Sequence, residues 1–408
     1  MHVVILSDHE TTGGAAISGS RLADGLCALG HRVTRLVNTP DGHEHSWTTK
    51  SLAPRYRQFL LLSVAQHVLG GGQYDRLASL NARHLLDRAL GELRPDVINV
   101  HNLHGAGWDP ELLRFCCRHA LTVWTLHDMW SFTGRCAYAY DCRKFIVGCN
   151  DSCPTHGEYP ALARERIAYV WKQRQRILAE HPNLVAVCPS RWLAQEALAG
   201  SWSNHRVEVI PYGLALKAYR PIDRDLARRA LGIETPGPVL LTVAERLTDR
   251  RKGGGILIEA MQHILSRPLT WVTMGHGRPS IHVDGLHIHH LDYVDHERTK
   301  VLAYSAADVF VHPAPVDNLP NTVMEAIACG APVVGFGTGG VPDMVRPGQT
   351  GWLSEETTAQ ALATTIEKAL ADICQGSDLR TSCRTVAETE YGLDLQARRY
   401  LELFESMW

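Results

Sequence analysis

Two cations, Arg246 and Lys252, stand six residues apart ahead of Gly253-Gly254-Gly255. Positive charge beside a glycine-bearing loop suits a diphosphate, because it stabilises the oxyanion that grows on a departing phosphate oxygen. A solvated basic turn has the same composition, and Arg250 and Arg251 crowd the same loop. Further on, Asp317-Asn318-Leu319-Pro320-Asn321-Thr322 runs into Val323-Met324-Glu325. Pro320 fits the start of a short helix and Cys329-Gly330 its stop. Amides at such a start can hold a diphosphate, while Asp317 accepts from sugar hydroxyls and Glu325 from a ribose diol. Read blandly, Asp317 caps the helix and Glu325 is a surface charge. In the first half, Thr11-Thr12-Gly13-Gly14-Ala15-Ala16 lets backbone approach an anion or sugar oxygen, or is merely a tight turn. His127 precedes Asp128 and is a candidate catalytic group or a structural histidine; His101 and His104 compete with it, among 22 histidines.

These groups work together only if the elements carrying them end at one place. Short apolar runs alternate with amphipathic segments from the first residues: His2 to Leu6, Ile17 to Leu29, His31 to Val37. That rhythm predicts βαβ units. Further strands are expected at Val97 to Val100, Leu121 to Leu126, Leu184 to Val187 and Val207 to Ile210. His127 therefore falls at a strand's carboxyl end. Pro211-Tyr212-Gly213 to Pro221 breaks the pattern, and it restarts at Val239 to Val243, Thr270 to Met274, His287 to His290, Val309 to His312 and Val333 to Phe336. The expectation is an α/β chain of two doubly wound Rossmann-like domains, residues 1–210 and 211–385. A terminal helix is expected within Tyr391 to Trp408, and a ligand crevice at strand carboxyl ends between the domains.

Composition agrees with this scale. The chain has 408 residues, 45% apolar and 21% charged, with a formal net charge of −2. A single small module is excluded, and the near-neutral balance disfavours nucleic acid as the main partner. No run of 18 apolar residues occurs, and Met1 leads straight into a strand-like segment, so a cytoplasmic location is expected. Four of the eleven cysteines, Cys136, Cys142, Cys149 and Cys153, fall within eighteen residues. They suit a structural zinc site, with free thiols or two disulfides as the alternatives.

Taken together, these residues resemble the retaining GT-B glycosyltransferases of family 4 over nearly the whole chain. Arg246 and Lys252 match that family's Arg and Lys six apart, and Asp317 and Glu325 its acid-x7-Glu motif. Gly339-Gly340-Val341-Pro342-Asp343 and Gly351-Trp352-Leu353 look like its downstream signatures, Gly13-Gly14 its glycine loop, and His127 its active-site histidine. Val123-Trp124-Thr125-Leu126-His127-Asp128-Met129-Trp130, Phe132-Thr133-Gly134 and the cysteines resemble a bacterial exopolysaccharide branch, the colanic-acid type included. Asp317 stands where the wider family has Glu, one methylene longer. Tyr212 and Leu214 replace residues common after the interdomain strand.

The resemblance implies sugar transfer from a nucleotide-diphosphate donor to an acceptor hydroxyl, with retention and with no catalytic metal or other cofactor. It implies catalytic roles for His127, Arg246, Lys252, Asp317 and Glu325. Donor contacts are implied at Gly13, Gly14, Asn318, Leu319, Pro320, Asn321 and Thr322, with the base near Gly275, His276 and Gly277 and near Leu291 to Val294. The acceptor would be a glycan, a lipid-linked glycan or a small molecule. Residues 386–408 would cross back to the first domain. Arg55-Tyr56-Arg57-Gln58-Phe59-Leu60-Leu61-Leu62, with Val64, Val68 and Leu69, could dock on the inner face of an anionic membrane or face the core. A natural-product tailoring transferase and a catalytically silent nucleotide-sugar binder are the rival readings. A dehydrogenase is disfavoured because Gly13-Gly14 lacks the dinucleotide fingerprint.

Overall fold

A strand whose successive residues are all apolar must bury both faces, and a parallel sheet between two helical layers allows this. Val3, Val4, Ile5 and Leu6 are fully buried, and they alternate between two cores. Val4 and Leu6 pack with Leu86, Leu90 and Trp124, whereas Val3 and Ile5 pack with Leu22, Leu26 and Phe404. The computed structural model describes residues 1–53, 71–234 and 237–408. They divide into two units, Met1–Gly213 with Leu393–Trp408, and Leu214–Gly392.

The first unit is built on seven parallel strands: β1 (His2–His9), β2 (Arg32–Thr39), β3 (Thr48–Ser51), β4 (Val97–Val100), β5 (Leu121–Thr125), β6 (Val185–Cys188) and β7 (Val207–Val209). Their order is β3-β2-β1-β4-β5-β6-β7. Helix Gly14–Ala28 follows β1 and packs against helix Leu393–Glu405. The approach is close: a Cβ on Gly25 would lie 2.8 Å from the Leu393 carbonyl oxygen. Ala397, Tyr400, Leu403 and Phe404 complete the core on that face of the sheet, and Tyr400 Oη meets Thr125 Oγ1 at 2.9 Å.

The second unit has six parallel strands, β8 (Val239–Arg246), β9 (Leu269–His276), β10 (Leu286–His290), β11 (Val309–His312), β12 (Val333–Phe336) and β13 (Gly351–Ser354), in the order β10-β9-β8-β11-β12-β13. Helices Gly254–His263 and Ala359–Cys374 cover one face through Leu257, Met261, Leu362 and Ile366. Helix Asn321–Ala328 follows β11, with Pro320 just before its first turn and Cys329 just after its last. Among the described residues no helix is long and apolar enough to cross a membrane.

Candidate active site

In the second unit the loops after β8, β9 and β11 gather the cations and acids. Arg246 ends β8, exposed, in register with His276 at the end of β9. The loop after it turns through Asp249, whose amide donates to the Arg246 carbonyl at 3.1 Å and whose carbonyl accepts from the Lys252 amide at 2.9 Å. Gly253, at φ +74°, then brings this loop against the one after β11. A Cβ there would sit 1.8 Å from the Pro313 carbonyl oxygen, so only glycine permits the approach. Lys252 Nζ consequently donates to Asp317 Oδ2 at 2.7 Å. On the other side, the Leu247 amide donates to the His276 carbonyl at 2.9 Å, placing Gly275 and Gly277 beside the β8 loop.

Asp317 is buried and accepts from the Asn318 amide at 3.0 Å through Oδ1. Burial alone would raise its pKa, but Lys252 in contact and His312 nearby overcome this and hold the carboxyl well below the usual range. His312 Nε2 lies 3.7 Å from Asp317 Oδ2, too far for a hydrogen bond. Burial, with Lys252 adding to it, brings the His312 pKa down to about 4 despite Asp317, so this ring is neutral at pH 7. Gly339, at φ +60°, lies against the Asp317 backbone; a Cβ there would be 2.3 Å from the Asp317 carbonyl oxygen. Glu325, on the second turn of helix Asn321–Ala328, is buried, and Oε2 accepts from Tyr304 Oη at 3.0 Å. It is thus no loose surface charge. Asn318, Leu319 and Pro320 are buried beside Asp317, and Asn321 and Thr322 form the helix start.

In the first unit His127 lies just past β5 and is held from two sides. Nδ1 meets Tyr212 Oη at 2.6 Å, and Nε2 meets His101 Nδ1 at 2.8 Å. His101 extends the row toward the glycine loop's helix, since a Cβ on Gly19 would come within 3.2 Å of its ring. Trp124 Nε1 fixes the His101 backbone by donating to its carbonyl at 3.1 Å. Burial brings the His127 pKa down to about 4 even though Asp128 opposes it. His101 is also lowered well below the usual value, by burial and by His127 and Arg35. Both rings are neutral at pH 7, so one donates and the other accepts in the bond between them. His104 pairs instead with Asp128, Nε2 to Oδ2 at 2.9 Å. Burial opposes charge on both, yet their mutual attraction raises His104 and lowers Asp128. Gly13 has φ +91° and Gly14 opens helix Gly14–Ala28, both exposed.

Cys136, Cys142, Cys149 and Cys153 form no disulfide and line one pocket. Glu10, Asp41 and His45 form another potential ligand group, but Trp47 Nε1 and the Asp41 amide already bond to Glu10, and Thr11 Oγ1 bonds to Asp41. That group ties the loop after β2 to β1. The membrane-docking segment from Arg55 to Leu69 lies outside the described residues. Sequence reasoning named His101 only as a competitor and Tyr212 only as a departure, and it missed Tyr304 and His312. Helical spacing puts Tyr304 on the inward face of its helix, but no local signal shows that it reaches Glu325.

Residues 12–217 match the model of Glycosyltransferase Family 4, and residues 237–372 that of glycosyl transferases group 1. The chain is 28% identical over 276 residues to the glycosyl transferase WcaC, assigned to colanic acid biosynthesis in Escherichia coli K12; the match covers 65% of this chain and 66% of that one. It is 29% identical over 214 residues to the D-inositol 3-phosphate glycosyltransferase of Rhodococcus erythropolis, covering 48% and 46%. The chain thus spans between about half and two thirds of the length of these curated relatives. Sucrose-phosphate synthase from Thermosynechococcus elongatus has the same fold, with a TM-score of 0.73 at 21% identity over 100% of this chain and 98% of that one.

Proposed function

Because the chain belongs to glycosyltransferase family 4 and has the GT-B architecture, we propose that it transfers a sugar from a nucleoside-diphosphate donor to an acceptor hydroxyl with retention at the anomeric carbon. The observation that carries this reading is the assembly in the second unit: Lys252 against Asp317 at 2.7 Å, beside a helix start and a buried Glu325. Donor binding there divides Lys252 between its own carboxylate and the diphosphate. Arg246, exposed at the end of β8, gives the second cation, and the helix start adds the positive end of its dipole. At 4 Å and an effective dielectric near 20, one charge contact of this kind contributes about 4 kcal/mol before desolvation. In this reading these groups do for the leaving diphosphate what a divalent cation would do.

The bond from the anomeric carbon to the phosphate oxygen breaks, and the acceptor oxygen bonds to the same face. The acceptor proton passes to the leaving phosphate oxygen, so no side chain has to act as in-line base. Asp317 accepts from sugar hydroxyls and Glu325 from the ribose diol, with Tyr304 holding Glu325 in place. Gly275 and Gly277 give the base close backbone. We assign the acceptor side to the first unit, where His127, neutral and fixed between Tyr212 and His101, orients sugar oxygens. The likeness to the relative assigned to colanic acid biosynthesis supports a cell-surface glycan as the product.

A thermal-shift panel of UDP-, GDP-, ADP- and dTDP-sugars tests donor binding, since a ligand bound only by the native state raises its melting temperature. Nucleotide release and product NMR then test transfer and retention. Tight donor binding with no nucleotide released over hours, even with mixed acceptors, would leave a binder and overturn the enzyme reading.

A further inference from the structure

Between Phe132 and Arg164 the only helix is the single turn Lys144–Val147, and there is no strand. Loops longer than about 12–15 residues without structure of their own are uncommon in compact domains and need something else to hold them. Phe132, Ala139 and Phe145 seat part of this loop in the unit's main core, and the rest packs only on a small cluster of Cys136, Cys153 and Ile167, with Cys149 and Leu162 against them. Much of that cluster is sulfur. The four cysteines come from separate points of this loop, yet all of them line the same pocket.

Donors surround the sulfurs. The Gly134 amide donates to Cys149 Sγ at 3.2 Å, and Arg135 Nη1 to Cys136 Sγ at 3.7 Å. Thr155 Oγ1 stands 3.7 Å from Cys136 Sγ and 3.9 Å from Cys153 Sγ. Burial raises the pKa of the Cys136 and Cys149 thiols, and such contacts offset only part of it; a metal-bound sulfur, carrying negative charge, would accept from the same donors. The charge around them has the same sense. Arg135 and Arg174 are both buried, and Arg174 Nε has no hydrogen-bond partner. Lys144 lines the pocket itself. A divalent ion with four thiolates carries two net negative charges, which these cations offset.

We propose that Cys136, Cys142, Cys149 and Cys153 bind one structural Zn²⁺ as four thiolates, and that the ion fixes the loop that follows His127. Binding releases four protons to solvent and forms four Zn–S bonds of about 2.3 Å. No three of the sulfurs lie within 4.8 Å of one another here, so the ion draws the loop inward. The consequence reaches the first unit's histidines through the same loop. Arg135 donates to the Pro160 and Glu158 carbonyls at 2.8 and 2.7 Å, and the neighbouring Tyr159 Oη meets His104 Nδ1 at 3.2 Å. His104 in turn holds Asp128, next to His127. Zinc here shapes the acceptor side and takes no part in donor chemistry.

The full chain, purified under reducing conditions and reconstituted with Zn²⁺, tests this independently of any transferase activity. Elemental analysis is expected to find one zinc per chain, and Co²⁺ in its place to show the visible bands of a tetrahedral tetrathiolate. Thr155→Val keeps every ligand but loses the hydroxyl beside two of them. It is expected to weaken zinc by roughly 10- to 100-fold in competition with a chromophoric chelator. Cys142→Ser should weaken it further, and Cys374→Ser, exposed and remote in sequence, should leave it unchanged. Four rapidly reactive thiols with no zinc retained would overturn the proposal, as would an intact mass four hydrogens light, the mark of two disulfides.

Discussion

Lys252→Ala separates the contact with Asp317 from the proposed role at the leaving diphosphate. Its ammonium lies 2.7 Å from Asp317 Oδ2, which at an effective dielectric near 20 is about 6 kcal/mol of gross attraction. Most of that was spent on desolvation. The lysine side chain is 29% exposed and the aspartate 9%, so losing the cation leaves a buried carboxylate that water reaches only partly. Breaking a fully buried pair costs about 3–5 kcal/mol, and the lysine's exposure brings the expected loss to about 1–3 kcal/mol. Adding Asp317→Asn in the same chain removes the orphaned charge and should return most of that stability in urea titrations. Turnover should behave differently. With saturating donor and acceptor, nucleotide release by Lys252→Ala is expected to fall by roughly 10²- to 10³-fold, as for deletion of one oxyanion donor. The double variant should stay as slow. Turnover within threefold of wild type would refute the charge assignment, and so would recovery of turnover together with stability in the double variant.

Stability should also fall in mild acid. His127 and His312 take up protons near pH 6.5 when unfolded but only near pH 4 when native, and His101 is shifted the same way. Between those limits the unfolded chain binds protons that the native chain refuses. Urea midpoints should therefore drop from pH 6.5 to pH 4, by on the order of 1 kcal/mol per pH unit per histidine, and a flat profile would contradict this burial. Gly253→Ala should destabilise by at least about 2 kcal/mol, through φ +74° and the Pro313 carbonyl, and should displace Lys252. Gly255→Ala, in the neighbouring helix with open space around it, should instead stabilise by about 0.5–1 kcal/mol, both read as melting temperatures. Tyr304→Phe removes one hydrogen bond to Glu325, and donor affinity should weaken by about tenfold, roughly 1–1.5 kcal/mol, with the fold intact on circular dichroism.

Strands buried on both faces were legible because their apolar runs have no other stable home. Val97–Val100, Val309–His312 and Val333–Phe336 fall where the sequence pattern puts them. Of the four edge strands, β7 and β10 were legible, while β3 and β13 were not. Thr48-Thr49-Lys50-Ser51 forms β3 without one apolar residue, held by its ladder with β2. Gly351–Ser354 forms β13 from a stretch that reads only as a motif. At the candidate site, residue types pointed to anion chemistry, but partners could not be read. Lys252 and Asp317 are 65 residues apart, and His127 and Tyr212 are 85 apart. Nothing local records such meetings. The pairing depends on strand order, on two glycines that let loops touch, and on burial that makes each contact count.

The packing of helix Leu393–Glu405 on the first unit bears on how the protein is made. A nascent chain that has cleared the ribosome as far as Gly213 holds all seven strands of its first sheet but lacks Ala397, Tyr400, Leu403 and Phe404 from one of its two cores. During the translation of the intervening 179 residues, Leu214–Gly392, an oily stripe beside helix Gly14–Ala28 stays uncovered. Chaperone occupancy should peak over that interval, and a product that stops short of Leu393 should be an early target for proteolysis.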